Sequence, residues 1–231
     1  MSQQNIPSAD ITLVLDRSSS IASIVDPVIQ GVNQFLDEQA KLPGRATITL
    51  VQFDDQYEVH WQAIPIAEAA HLDRTTLVPR GGTALLDAIG QSIEDTTARL
   101  AAFKPEARPQ KVIFVVFTDG YENSSRRFSR PDIARTIRNQ REVHGWEFLF
   151  LGANQDAILS ASELGIDRRS AHTFEATEEG TRAALNTASS SVATSRSTLD
   201  PDAAPGGHDQ PRKSPQPTEP TSSSTGTPPT P

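Results

Sequence analysis

Three short runs, ITLVL (11–15), VIFVVF (112–117) and FLFL (148–151), are apolar at nearly every position instead of at every second one. A strand with water on one face alternates, whereas a strand covered on both faces does not, so these runs point to a parallel sheet held between two layers of helices. The segments between them carry the complementary period. Val25, Val28, Ile29, Val32, Phe35 and Leu36 recur at three- and four-residue steps and give way to Pro43-Gly44, as expected of a helix that lays one apolar stripe on such a sheet. Further helices are expected from about Thr83 through Ile93, from Pro131 to about Val143, from about Gln155 to Leu164 and from about 178 to 193. TITLVQFDDQYEVHWQ (47–62) reads as two strands joined around Asp54 and Asp55, the second more polar, which is the pattern of a short antiparallel edge hairpin. The expected fold class is therefore α/β: a doubly wound, mostly parallel, Rossmann-like sheet with one antiparallel edge strand and helices on both faces.

The composition breaks near residue 199. Nine of the 17 prolines fall between Leu199 and Pro231, a stretch that ends in SSSTGTPPTP and offers little apolar surface to bury. This divides the chain into an N-terminal extension (1–9), one folded domain (10–195) and a disordered Pro/Ser/Thr-rich tail (196–231). The chain has no cysteine, which removes disulfides, thiolate metal sites and a catalytic thiol together. A formal charge of -8 argues against nucleic acid, since phosphate-backbone binding needs a surplus of lysine and arginine. The opening MSQQNIPSAD lacks a charged segment followed by an apolar one, and no apolar run reaches the about 18 residues of a membrane span. A cytoplasmic protein without membrane association is expected.

Three loop segments carry chemistry, each at the end of an expected strand or at the entry to a helix: Asp16-Arg17-Ser18-Ser19-Ser20, Gly81-Gly82-Thr83 and Thr118-Asp119-Gly120. In open parallel sheets the ligand crevice lies beyond the carboxyl ends of the strands, so groups far apart in sequence converge there. The candidate donors are the carboxylates of Asp16 and Asp119 and the hydroxyls of Ser18, Ser20 and Thr83. An all-oxygen set without imidazole or sulfur suits Mg²⁺ or Mn²⁺ better than zinc. Taken singly, the serines and Thr83 could be helix caps and Asp119-Gly120 an ordinary turn. Their joint occurrence at three matching loop ends favours a metal site.

DRSSS, the threonine of RGGTALLDAIG and the aspartate of FVVFTDG resemble, in order and spacing, the metal-ion-dependent adhesion site of von Willebrand factor A domains, in particular stand-alone bacterial members. The resemblance covers residues 10 to about 195; all five ligand positions are present, and Ser19 stands at a non-ligand position where glycine is frequent. It implies an ion at the top of the sheet, with Ser18 and Ser20 bound directly, Thr83 directly or through water, and Asp16 and Asp119 mostly through water. The remaining position would take an Asp or Glu of a protein partner. Such domains work as adaptors in multiprotein assemblies, including those built around AAA+ ATPases, and the implied function is metal-dependent protein binding without enzymatic activity.

Two alternatives stay open from the residues. Asp16 could be the nucleophile of a metal-assisted hydrolase or phosphatase, although that chemistry wants a second carboxylate two residues on and Ser18 stands there. A secreted adhesin could carry the same metal site. The five histidines, His60, His71, His144, His172 and His208, show no ligand spacing. Trp61 and Trp146 adjoin strands and are expected in the core. Tyr121, Arg126, Arg127 and Arg130 follow soon after Asp119, and form a candidate rim that would steer an acidic partner to the ion.

Overall fold

The computed structural model describes residues 8–153 and 157–199. Strands β1 (Ser8–Asp16), β2 (Arg45–Phe53), β3 (Tyr57–Pro65), β4 (Lys111–Thr118), β5 (Glu147–Gly152) and β6 (Ala171–Thr173) form one sheet in the order β3-β2-β1-β4-β5-β6. All neighbours are parallel except β2 and β3. The helices are α1 (Val25–Ala40), α2 (Leu85–Ala101), α3 (Arg130–His144), α4 (Ala157–Glu163) and α5 (Glu178–Ser197).

The apolar runs divide their side chains between two cores. Ile113, Val115 and Phe117 join Ile11, Leu13 and Leu15 beneath α1 and α5, while Val112, Phe114 and Val116 join α2, α3 and α4 on the opposite face. This is why β1 and β4 cannot alternate with polar residues: period two places every side chain in one core or the other. Trp146 is buried and stacked on Phe114 at 5.5 Å between ring centroids, and Trp61 packs against the first core from a half-buried position.

Helices α1 and α5 approach unusually closely at Gly31. A Cβ there would lie 2.4 Å from Leu185 Cδ1 and 2.9 Å from Leu185 Cβ, so the missing side chain of Gly31 is filled by Leu185. Gly31→Leu is expected to destabilise the fold by about 1–3 kcal/mol through overpacking, read as a lower urea midpoint at unchanged slope.

The edge strand β3 is not smooth. Ile48 pairs with Ile64 and Leu50 with Trp61, so Gln62 and Ala63 together oppose Thr49. Ala63 adopts φ 49°, and its N–H donates to Thr49 Oγ1 at 3.0 Å. This is a bulge, one extra residue absorbed by a local kink.

One strand was not expected from the sequence, and one expected boundary needs correction. The strand β6 follows a short 3₁₀ turn at Arg168–Ser170 and has no counterpart in the sequence reading. Helix α5 also runs past 193 to Ser197, because Arg196 turns inward: it is 4% exposed and donates from Nη1 to Gln39 O at 2.6 Å, at the C-terminal end of α1. The expected start of the fourth helix near Gln155, most of the N-terminal extension and the tail from residue 200 lie outside the described residues. No described helix is long and apolar enough to cross a membrane.

Candidate functional site

The chain leaves β1 in one direction, through α1 to β2, and later builds β4, β5 and β6 on the other side of β1. The switch point of this topology therefore lies between β1 and β4, where a crevice opens beyond the strand ends. Leu15 is level with Phe117, so Asp16 and Thr118 leave the sheet side by side.

Asp16 is fully buried and both of its carboxylate oxygens are engaged. Oδ1 accepts from Ser18 N at 2.7 Å and Oδ2 accepts from Thr118 Oγ1 at 2.5 Å. The chain then forms a 3₁₀ turn, Ser19–Ser23, whose N-cap is Ser18, yet Ser18 makes no side-chain capping bond. Its hydroxyl lies instead 2.8 Å from Ser20 Oγ, which donates to Asp119 Oδ1 at 2.5 Å. Thr83 likewise precedes α2 without being its N-cap, which is Ala84. The serines and the threonine are thus free of the helix-end duties that would explain them singly.

Their common target is visible at Gly120. A Cβ on Gly120 would stand 2.8 Å from Thr83 Oγ1, 3.2 Å from Ser20 Oγ and 3.6 Å from Ser18 Oγ. Three hydroxyls from two loops therefore face one small space beside Gly120, with Asp119 and Asp16 behind them. Among the described residues neither carboxylate has an ion-pair partner, and both are held above the usual range. Burial is the main cause for Asp16, partly offset by bonds from Thr118 and Ser18; burial and then the nearby Asp16 charge push Asp119 up to about 6, against the bond from Ser20. A buried and a partly buried carboxylate short of positive charge, ringed by neutral hydroxyls, fit a small hard dication. Among the described residues no group of three or more His, Cys, Asp or Glu could hold a metal, so any ion here depends on the hydroxyls.

Residues outside the candidate donor set hold these loops. Thr118 positions Asp16 and, through its Oγ1, accepts from Gly120 N at 3.2 Å. Asn123 Oδ1 accepts from Thr83 N at 2.9 Å, while Asn123 N donates to Thr83 O at 3.0 Å. Ser19 donates from Oγ to Gly81 O at 2.8 Å, tying the first loop to the second. Thr118 had a signal, its place at a strand end next to Asp119; Asn123 had none.

Tyr121 is 66% exposed beside Gly120. Arg126 is exposed, whereas Arg127 folds back along α2 to Gln91 and Glu94 and covers the Phe128 ring at 4.7 Å. Arg130 pairs with Glu163 of α4 at 3.3 Å.

The family model of the von Willebrand factor type A domain matches residues 10–190. The chain belongs to this family. Von Willebrand factor A domains are commonly modules of protein interaction or adhesion. No curated protein matches the chain. Among solved structures, the pilus adhesin SpaC from Lactobacillus rhamnosus GG superimposes with a TM-score of 0.62 at 18% identity, covering 84% of this chain and 31% of SpaC. Proximal thread matrix protein 1 from the mussel byssus, solved with a zinc-occupied MIDAS motif, gives 0.55 at 17% identity over 82% of this chain and 47% of its own. A von Willebrand factor type A protein from Catenulispora acidiphila gives 0.51 at 14% identity, over 80% and 42%. This von Willebrand factor A chain thus spans less than half the length of each of these three, and the likeness to them is one of fold.

Proposed function

We propose that the chain is a divalent-metal-dependent protein-binding module in which Asp16, Ser18, Ser20, Thr83 and Asp119 form a complete metal-ion-dependent adhesion site. The observation that carries this reading is the convergence of the three hydroxyls on the space beside Gly120, backed by two carboxylates with no cationic partner among the described residues. The all-oxygen set favours Mg²⁺ or Mn²⁺, although the mussel relative holds zinc at its motif. When bound, the ion supplies a positively charged coordination position that attracts an Asp or Glu of a partner. Neutral hydroxyls leave more of that charge available than directly bound carboxylates do. The lack of a second carboxylate two residues after Asp16, where Ser18 stands, favours binding over phosphoester chemistry. On this reading the chain is an intracellular, bacterial adaptor, with assemblies around AAA+ ATPases among its candidate settings.

The test is affinity capture from lysate of the source cell with parent protein in Mg²⁺, parent in EDTA, and Thr83→Ala in Mg²⁺. A partner is expected on the first alone, and its Asp or Glu should then be found by substitution. Equal retention in all three arms would refute the metal-bridged contact.

A further inference from the structure

The donors of the proposed site sit on loops that the helices do not fix: Ser18 and Ser20 follow β1, and Thr83 precedes α2. A small hard ion tolerates little error in donor spacing, since Mg²⁺ asks for near-octahedral oxygens at about 2.1 Å. Something must hold the two loops at a set separation.

Directly behind them lies a four-residue charge cluster. Arg17, next to Asp16 in the chain, donates from Nε to Asp54 Oδ2 at 2.9 Å and from Nη1 to Glu58 Oε2 at 2.6 Å. Arg80, three residues before Thr83, donates from Nε to the same Asp54 oxygen at 2.7 Å and from Nη2 to Glu58 Oε1 at 2.8 Å. The backbone repeats the connection. Arg80 N donates to Arg17 O at 2.9 Å, Arg17 N to Phe53 O at 2.8 Å and Ala84 N to Asp54 O at 2.7 Å. Asp54 Oδ1 in turn accepts from Gln56 N at 2.7 Å, closing the β2–β3 turn on itself. Three chain segments, at 16–20, 54–58 and 80–84, are thereby locked to one pair of carboxylates.

Fold stability is a poor explanation for this cluster. Arg17 and Asp54 are buried, with side chains 6% and 0% exposed, and Arg17 Nη2 is left without a partner; buried charge pairs offset their own desolvation and add little net. Arg80 and Glu58 are half exposed, at 46% and 51%, where ion pairs contribute little. What a shared, forked guanidinium–carboxylate geometry does supply is position. The Arg17 bond, with Arg80 beside it, holds Glu58 down at about 2, so Glu58 stays ionised through the working pH range.

Resting on the metal-site reading above, we infer that Arg17, Arg80, Asp54 and Glu58 form a positioning clamp that sets the distance between the Ser18/Ser20 loop and the Thr83 loop, and so tunes divalent-ion affinity without touching the ion. None of the four belongs to the donor set. Arg80 is the member to vary, because it is half exposed and its loss leaves no large cavity.

The experiment titrates Mn²⁺ into the full chain, following free ion by its EPR signal, for parent, Arg80→Met and Arg80→Lys, with melting curves in EDTA for each. Arg80→Met is expected to weaken Mn²⁺ binding by about 10- to 100-fold, as loss of supporting groups around a metal does, while the metal-free melting temperature moves by no more than about 2–4 °C. Arg80→Lys, which keeps the charge but not the fork, should fall between parent and Arg80→Met. Unchanged Mn²⁺ affinity in Arg80→Met overturns the clamp, as does an affinity loss that merely follows a matching fall in melting temperature. Absence of Mn²⁺ binding by the parent would overturn the metal-site reading itself, a distinct outcome from parental binding that the variants share.

Discussion

Gly120→Val is expected to abolish divalent-cation binding while leaving all five candidate donors in place. The added Cβ would enter the space that Thr83, Ser20 and Ser18 face, at 2.8, 3.2 and 3.6 Å from their hydroxyl oxygens, and the two methyl groups would fill what is left of it. The backbone at Gly120 does not adopt the left-handed region, so a side chain there is not strained for conformational reasons. Calorimetric titration of Mn²⁺ should therefore give a flat trace, and the rise in melting temperature that Mg²⁺ confers on the parent should vanish. Gly120→Ala should lie between the two. Parental affinity in Gly120→Val would mean that the hydroxyls do not meet an ion on that side, and the metal-site reading would fail.

Asp119→Asn should produce effects of opposite sign with and without metal. Folding raises the Asp119 carboxyl from 3.8 to about 6, chiefly by burial. A raised acid favours its protonated form in the folded state, so its contribution to stability is complete below the unfolded value and is lost as pH climbs through about 6. In EDTA at about pH 8 the parent carries that penalty and the amide does not, and the amide oxygen can still accept from Ser20. A displacement of this size corresponds to about 3 kcal/mol, and partial exposure lowers the expected gain of Asp119→Asn to about 1–2 kcal/mol. The advantage should disappear near pH 4. With saturating Mg²⁺ the order should reverse, because ion binding favours the charged parent. Urea midpoints across pH, with EDTA and with Mg²⁺, read both signs; a variant that is no more stable than the parent in EDTA at high pH would contradict the burial argument.

The sequence revealed those parts of the molecule where one physical demand governs several residues at once. Strands β1, β4 and β5 are covered on both faces, and helix α1 carries one long stripe, so burial left a period to read. The strand β6 has three residues, Ala171–Thr173, and only Ala171 is buried; three residues hold no period. The end of α5 was obscured because Arg196, a residue that ordinarily marks the surface, faces the C-terminal end of α1. The site shows the same division. Its candidate donors follow recognisable strand ends and helix starts, whereas Asn123 and the Arg17 cluster act through partners that become neighbours only after folding. The arginines after Asp119 were legible as charge, but Glu94 and Glu163, which engage Arg127 and Arg130, come from α2 and α4 and gave no hint in the local sequence.

The kink at Ala63 bears on how the molecule behaves in a crowded solution. A nine-residue outer strand with unpaired backbone groups is a template on which another chain can extend the sheet, the first step toward aggregation. The bulge between Trp61 and Ile64, with a second register shift between Val59 and Trp61, breaks one long edge into shorter pieces that cannot all align with a straight incoming strand. A residue held at φ 49° without being glycine thus makes the outer edge a poorer template for another chain.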